Sequence, residues 1–128
     1  PQGFTVNSLT SVSLAPPLIL VCVDHSASIL RCFSDNNVFT VNILSEKQEK
    51  VSGQFASKLE DKFTGIAYEA GKLGPPRIQG CLGYLECRIT DKHLAGDHSI
   101  FIGRVEVTEL GFEEGKPLLF YSGKYARL

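Results

Sequence analysis

Hydroxyl and amide side chains gather at two places in this 128-residue sequence. Asn7, Ser8, Thr10, Ser11 and Ser13 crowd one stretch near the start, and Ser26 and Ser28 stand where a helix should begin. A helix start offers free backbone N–H groups and the positive end of the peptide dipole, which suits a phosphate. Serine hydroxyls add donors there without adding charge. Together the two groups hint at a phosphorylated ligand lying between an extended segment and a helix. Plainer readings fit the same residues: Ser26 as a simple N-cap, and residues 7–13 as the polar face of a surface strand. His98 follows Gly96-Asp97 and opens a strand, where a hydrogen-bonded surface histidine also fits. Tyr125 and Arg127 sit in a short basic tail, and docking or solvent exposure accounts for them equally well.

Other chemistries lack their signatures. There is no G-x-G-x-x-G after a strand, no P-loop, no H-E-x-x-H and no G-x-S-x-G. Asp24-His25-Ser26 holds the letters of a catalytic triad, but triads assemble from separated positions, and adjacent residues leaving a strand point to different sides. Cys22, Cys32, Cys81 and Cys87 form no C-x-x-C pair. No metal centre is therefore expected, and reduced, buried thiols in a cytoplasmic protein are. The net charge of −1 gives no electrostatic footprint for nucleic acid. Residues 18–23, the longest apolar run, fall far short of the roughly 18 residues that cross a bilayer. With 43% hydrophobic and 21% charged residues, the chain has enough apolar surface for one domain with its own core. Methionine is absent, so Pro1 is expected to follow processing or trimming.

The elements that must position these groups are mostly strands. Residues 3–14 read as extended, and Ala15-Pro16-Pro17 stops them because proline donates no ladder hydrogen bond. Residues 18–23 read as a strand buried on both faces. Ile29, Leu30 and Phe33 share a helical face, which predicts a short helix capped by Ser26 and ending near Asn36-Asn37. Phe39, Val41 and Ile43 alternate with Thr40 and Asn42 in a further strand. Ser45-Glu46-Lys47-Gln48 is a capping box, so a second helix should run through Val51 and Phe55. Gly71, Gly74, Pro75 and Pro76 make a loop of the region before residue 79. Two long alternating strands follow, around residues 81–90 and 101–107, with turn chemistry at Ala95-Gly96-Asp97. A polar turn then leads to Leu118-Leu119-Phe120-Tyr121. Five or six strands, two short helices and no βαβ rhythm predict an all-β domain, a small barrel with helical insertions.

Read as a run, Thr5-Val6-Asn7-Ser8-Leu9-Thr10-Ser11-Val12-Ser13-Leu14 with Pro16-Pro17-Leu18 resembles the flavin reductase-like family. The likeness continues in order through Val21-Cys22-Val23-Asp24-His25-Ser26-Ala27-Ser28, then Val41-Asn42-Ile43-Leu44-Ser45-Glu46-Lys47-Gln48 and Phe55. It takes in Asp61-Lys62-Phe63, Gly96-Asp97-His98 and the stretch from Pro117 to Leu128. The resemblance implies a six-stranded Greek-key FMN-binding split barrel over residues 1–128. The family begins earlier, with a helix and a first barrel strand, so its N-terminal residues are expected to be lacking here. Family members commonly carry aspartate where Ala15 stands.

In function, the resemblance implies a flavin, FMN or FAD, reduced by NADH or NADPH in a homodimer. The reduced flavin would go to a partner flavin-dependent monooxygenase. The flavin ring would lie along Asn7, Ser8, Leu9, Thr10 and Ser11, and its phosphate near Asp24, Ser26, Ala27 and Ser28. Ser45, Gln48 and Phe55 match positions lining the same cleft. His98 matches a histidine that positions the nicotinamide, and Tyr125 and Arg127 fall in the tail that receives the pyridine nucleotide. Two rival readings use the same fold: an FMN-binding electron-transfer protein that is not an enzyme, and an oligomerising scaffold.

Overall fold

The computed structural model describes residues 1–27, 29–111 and 114–128; Ser28, Phe112, Glu113 and the side chain of Ser34 lie outside the described residues. Five strands form one antiparallel sheet: β1 (Thr10–Leu14), β2 (Pro17–Asp24), β3 (Val38–Ile43), β6 (Gly83–Ala95) and β7 (His98–Leu110). Their order is β1-β2-β7-β6-β3. β2 thus lies beside β7 and reaches the far edge strand β3 only through a long connection, a Greek-key arrangement. That connection holds helix α1 (Ile29–Asn36). After β3 come a single 3-10 turn at Glu46–Gln48 and helix α2 (Glu49–Phe55). β4 (Tyr68–Ala70) pairs with β5 (Pro76–Ile78), and β8 (Leu119–Tyr121) pairs with β9 (Lys124–Ala126). The expected barrel strands are found as this five-stranded sheet and two hairpins.

Local chemistry explains most boundaries. Leu14 pairs with Pro17 around Ala15 and Pro16, which make the tight turn between β1 and β2. α1 stops at Asn37, whose φ of 59° is the left-handed conformation that asparagine tolerates after a helix. The capping box forms: the Ser45 N–H donates to Gln48 Oε1 at 2.9 Å. Ala95 pairs with His98 across Gly96-Asp97, with Gly96 at φ 66°. At the β8–β9 turn, Ser122 and Gly123 both have positive φ, the pairing that two-residue hairpin turns require.

The core has two parts. Ile19, Val21 and Val23 of β2 pack with Ile29, Phe39, Cys87 and Phe101. Phe55, Phe63, Ile78 and Cys81 form the second cluster, with Phe55 and Phe63 edge-to-face at 4.8 Å. β2 is not buried on both faces as its unbroken apolar run suggested. Leu18, Leu20 and Cys22 are half-buried, because an antiparallel sheet here covers only the face that meets α1. Likewise only Phe39 of the expected inward trio in β3 is buried, while Ile43 at the strand's end is 41% exposed. Cys81 and Cys87 are fully buried free thiols, and Cys22 and Cys32 are half-buried ones. Among the described residues no helix is long and apolar enough to cross a membrane, and no cluster could hold a metal ion.

Candidate functional site

β2 and β7 end side by side, with Asp24 paired to His98, and that end of the sheet is rich in polar side chains. The Asp24 carboxylate turns back on its own loop. Its Oδ1 accepts the Ser26 backbone N–H at 2.8 Å and the Ser26 hydroxyl at 2.7 Å. These two bonds, the backbone one first, hold Asp24 below the usual carboxylate range. Ser26 is therefore tied into an Asx turn with Asp24, and α1 begins three residues later at Ile29; the expected cap by Ser26 involves Ser28, which lies outside the described residues. His98 Nδ1 meets Asp97 Oδ1 at 2.7 Å, and its Nε2 lies 4.0 Å from Asp24 Oδ2. The neighbouring His25 bonds the buried Ser99 hydroxyl through Nε2 at 3.0 Å, and its backbone N–H donates to Asp97 O at 2.9 Å.

A cleft of about 380 Å³ opens beside this turn, lined by Ser26, Ala27, Ile29 and Phe4 on one side and by Ser57, Lys58, Leu59 and Lys62 on the other. The lysine-bearing loop is held by Gln54, whose amide donates to Lys62 O at 2.7 Å and Thr64 O at 2.8 Å. Lys58 and Lys62 bring two ammonium groups that could meet an anion, while the Ser26 and Ser57 hydroxyls already donate to Asp24 and to Gln54 O, and Phe4, Ile29 and Leu59 give the cleft an apolar wall. Ser57, Lys58 and Leu59 were missed by the sequence reading. The available signal was a lysine pair four residues apart, beside a serine, in a chain of nearly zero net charge.

Residues 7–11 lie along the open edge of the sheet. Among the described residues β1 pairs only with β2, so its other side is an open sheet edge. Asn7, Leu9, Thr10 and Ser11 are exposed, whereas Ser8 is committed to β2. The Ser8 hydroxyl meets both Cys22 O and Cys22 N at 3.3 Å. An edge of alternating donors and acceptors beside an anion site fits a flat heterocycle carrying a phosphate tail.

The remaining expected residues fall elsewhere. Ser45 is buried beneath Pro117, and both ends of the Gln48 amide are occupied, by the Ser45 N–H and by Gln79 O. Phe55 belongs to the second core cluster. None of these three lines the cleft that holds Ser26. Tyr125 bonds the Ser52 hydroxyl at 2.8 Å, and with Arg127 it lines a separate notch of about 50 Å³ beside Glu46 and Glu49. Ser28 lies outside the described residues.

The flavin reductase like domain matches residues 1–128. The chain belongs to this family. The reductase subunit HsaB of a flavin-dependent monooxygenase from Mycobacterium tuberculosis is 40% identical over 126 residues, covering 98% of this chain and 67% of the relative. The chain thus spans about two thirds of that relative's length. Among solved structures, nitrilotriacetate monooxygenase component B from Mycobacterium thermoresistibile superposes with a TM-score of 0.96 at 39% identity, over 100% of this chain and 72% of that one. An NADH:FAD oxidoreductase from Streptomyces globisporus, solved with NAD and FAD fragments, gives 0.95 at 36% identity over 100% and 78%. At this overlap the sheet and its two hairpins are the flavin reductase split barrel.

Proposed function

We propose that the chain is an NADH:flavin oxidoreductase that supplies reduced flavin, FMN or FAD, to a flavin-dependent monooxygenase. The observation that carries this reading is the lysine- and serine-lined cleft beside an open strand edge, in a chain 40% identical to a monooxygenase reductase subunit. When bound, the flavin supplies the hydride acceptor and NADH the donor. The chain's own part is to hold both in line and to keep water out.

Asn7, Leu9, Thr10 and Ser11 present the polar edge against which the ring lies, with Ser8 fixing that segment to β2. Lys58 and Lys62 receive the phosphate in the cleft that Ala27 lines. Asp24 and Ser26 shape that end through the turn between them. Backbone donors along residues 7–11 also stabilise the negative charge that the reduced ring gains. His98, fixed by Asp97, is a positioning group for the nicotinamide, and Tyr125 and Arg127 take the rest of the pyridine nucleotide. A homodimer belongs to the same reading: Leu14, on the edge strand, is 93% exposed, and a second copy would cover it.

The test is NADH oxidation followed by absorbance, with FMN, FAD or riboflavin added in turn. Turnover that requires flavin and favours NADH over NADPH is expected. No flavin-dependent turnover with either nucleotide ends the reading.

A further inference from the structure

Asp24 stands where an anion-binding loop has least use for it. Its Oδ1 holds both donors of Ser26, the backbone N–H at 2.8 Å and the hydroxyl at 2.7 Å. Ser26 and Ala27 line the cleft that faces Lys58 and Lys62. A phosphate near neutral pH is chiefly an acceptor of hydrogen bonds, so at that spot it asks for the very donors that the carboxylate already occupies. The carboxylate also places a negative charge one residue's reach from the anion, opposing the two lysines across the cleft. On its other side His98 Nε2 lies 4.0 Å from Oδ2.

We propose that Asp24 is a built-in competitor for the flavin phosphate, a specificity determinant that holds down affinity for phosphorylated flavins so that reduced flavin leaves. The inference rests on the oxidoreductase reading above. Its logic is that of product release: an enzyme whose product must diffuse to a partner turns over no faster than that product departs. Two lysines without an opposing charge would retain a phosphorylated flavin. Asp24 offsets part of that attraction and withholds the two nearest donors.

Asp24→Asn separates charge from shape. Asparagine keeps an oxygen for both Ser26 donors and supports the same Asx turn, while the negative charge is gone. Flavin fluorescence titrations with FMN and with riboflavin, which has no phosphate, compare this variant with the parent. FMN should bind about five- to tenfold more tightly to Asp24→Asn, the size expected for removing one unit charge a few ångströms away in a partly solvated cleft. Riboflavin affinity should stay the same. Unchanged or weaker FMN binding overturns the proposal, and so does an equal gain for riboflavin, since the charge would then not act through the phosphate.

Ser26→Ala gives an independent check. Because the hydroxyl proton is already given to Asp24, its loss should alter FMN affinity by less than about twofold. A loss of about fivefold or more means that the hydroxyl turns to the phosphate, which also overturns the proposal. A parent protein that binds neither flavin removes the oxidoreductase reading and this inference with it. A parent that binds FMN, beside an Asp24→Asn variant that binds it no better, removes the inference alone.

Discussion

Replacing Glu86 with glutamine removes a buried charge on which three separate stretches of chain depend. Glu86 lies on β6 with no exposed surface. Its Oε1 accepts the Leu73 N–H at 2.7 Å, and its Oε2 accepts Arg77 through Nε at 3.0 Å and through Nη2. Arg77, itself buried on β5, also pairs with Glu109 of β7 and sits 5.6 Å from the centre of the Tyr84 ring. Burial alone would raise the Glu86 carboxyl, but the Leu73 N–H and the Arg77 guanidinium outweigh it and hold it below its ordinary 4.5. Arg77 is raised in turn, chiefly by its bond to Glu86.

Removing one partner of a buried ion pair costs about 3–5 kcal/mol, because the other charge is left in place without compensation. Glu109 still faces Arg77, so the low end, about 3 kcal/mol, is expected for Glu86→Gln. At roughly 4 °C per kcal/mol for a chain of this size, the melting temperature should fall by about 12 °C. Glu109→Gln should cost less than about 1 kcal/mol, because the Glu109 side chain is 53% exposed and solvent screens its pair. The pH dependence has a definite sign. The folded-state value of Glu86 lies below the unfolded one, so its contribution is complete well above 4.5 and is lost as pH falls through the folded value. Thermal melts by circular dichroism should show a constant gap between parent and Glu86→Gln from neutral pH to about pH 5.5, closing below 4.5. A variant melting within about 3 °C of the parent at neutral pH, or no lower than Glu109→Gln, would refute the reasoning.

Three further outcomes are expected. The double variant Lys58→Gln/Lys62→Gln should weaken FMN by about tenfold or more while leaving riboflavin within about twofold, and the gap should narrow at high salt; fluorescence titration at two ionic strengths reads it. His98→Ala should raise the KM for NADH severalfold with flavin affinity nearly intact, and collapse of flavin binding would remove its role beside the nicotinamide. Burial pushes the Cys81 thiol up to about 11 and the Cys87 thiol up to about 12. Alkylation of the native protein, followed by mass spectrometry, should therefore label Cys22 and Cys32 well before Cys81 and Cys87.

Features written in short-range patterns were the ones visible in the chain. The β3 strand, the Ser45–Gln48 box and the turn at Gly96-Asp97 each need only neighbours a few residues apart, and each is present, although the alternation in β3 buries only Phe39. The β4–β5 hairpin was hidden because it borrows its stability from distant side chains. Residues 68–70 are all exposed, Asn42 bonds Pro76 O and the Ile78 N–H, and Glu86 holds Leu73 and Arg77. No periodic pattern in residues 58–79 could announce those partners. The site divided in the same way. Ser26 and His98 stand out by type and place, but the lysines across the cleft are put there by Gln54 reaching over the loop. The donors of Ser26 itself are taken by Asp24, two residues earlier, a local side-chain turn that the helix pattern did not announce.

The segment before β1 explains why an irregular stretch serves this site better than a strand would. Among the described residues, no backbone–backbone bond outside the strands and helices involves residues 1–9. The segment is nonetheless fixed, by side chains. Thr5 Oγ1 donates to Ser52 O at 2.6 Å, Ser8 grips Cys22, and Phe4 stands edge-on to Phe33 at 5.5 Å. Gly3 lies so close to Phe55 that a Cβ there would come within 2.8 Å of the ring. A second ladder along this stretch would consume the N–H and C=O groups of Asn7 and Leu9, and every such group must find some partner. Holding the backbone through side chains leaves those groups open to solvent, and in the proposed function a flavin edge would replace that water on a segment already in position. The cost is an open sheet edge with Leu14 beside it, a surface that invites another strand. Whatever covers that edge, ring or second copy, binds to a backbone whose ordering was settled in folding.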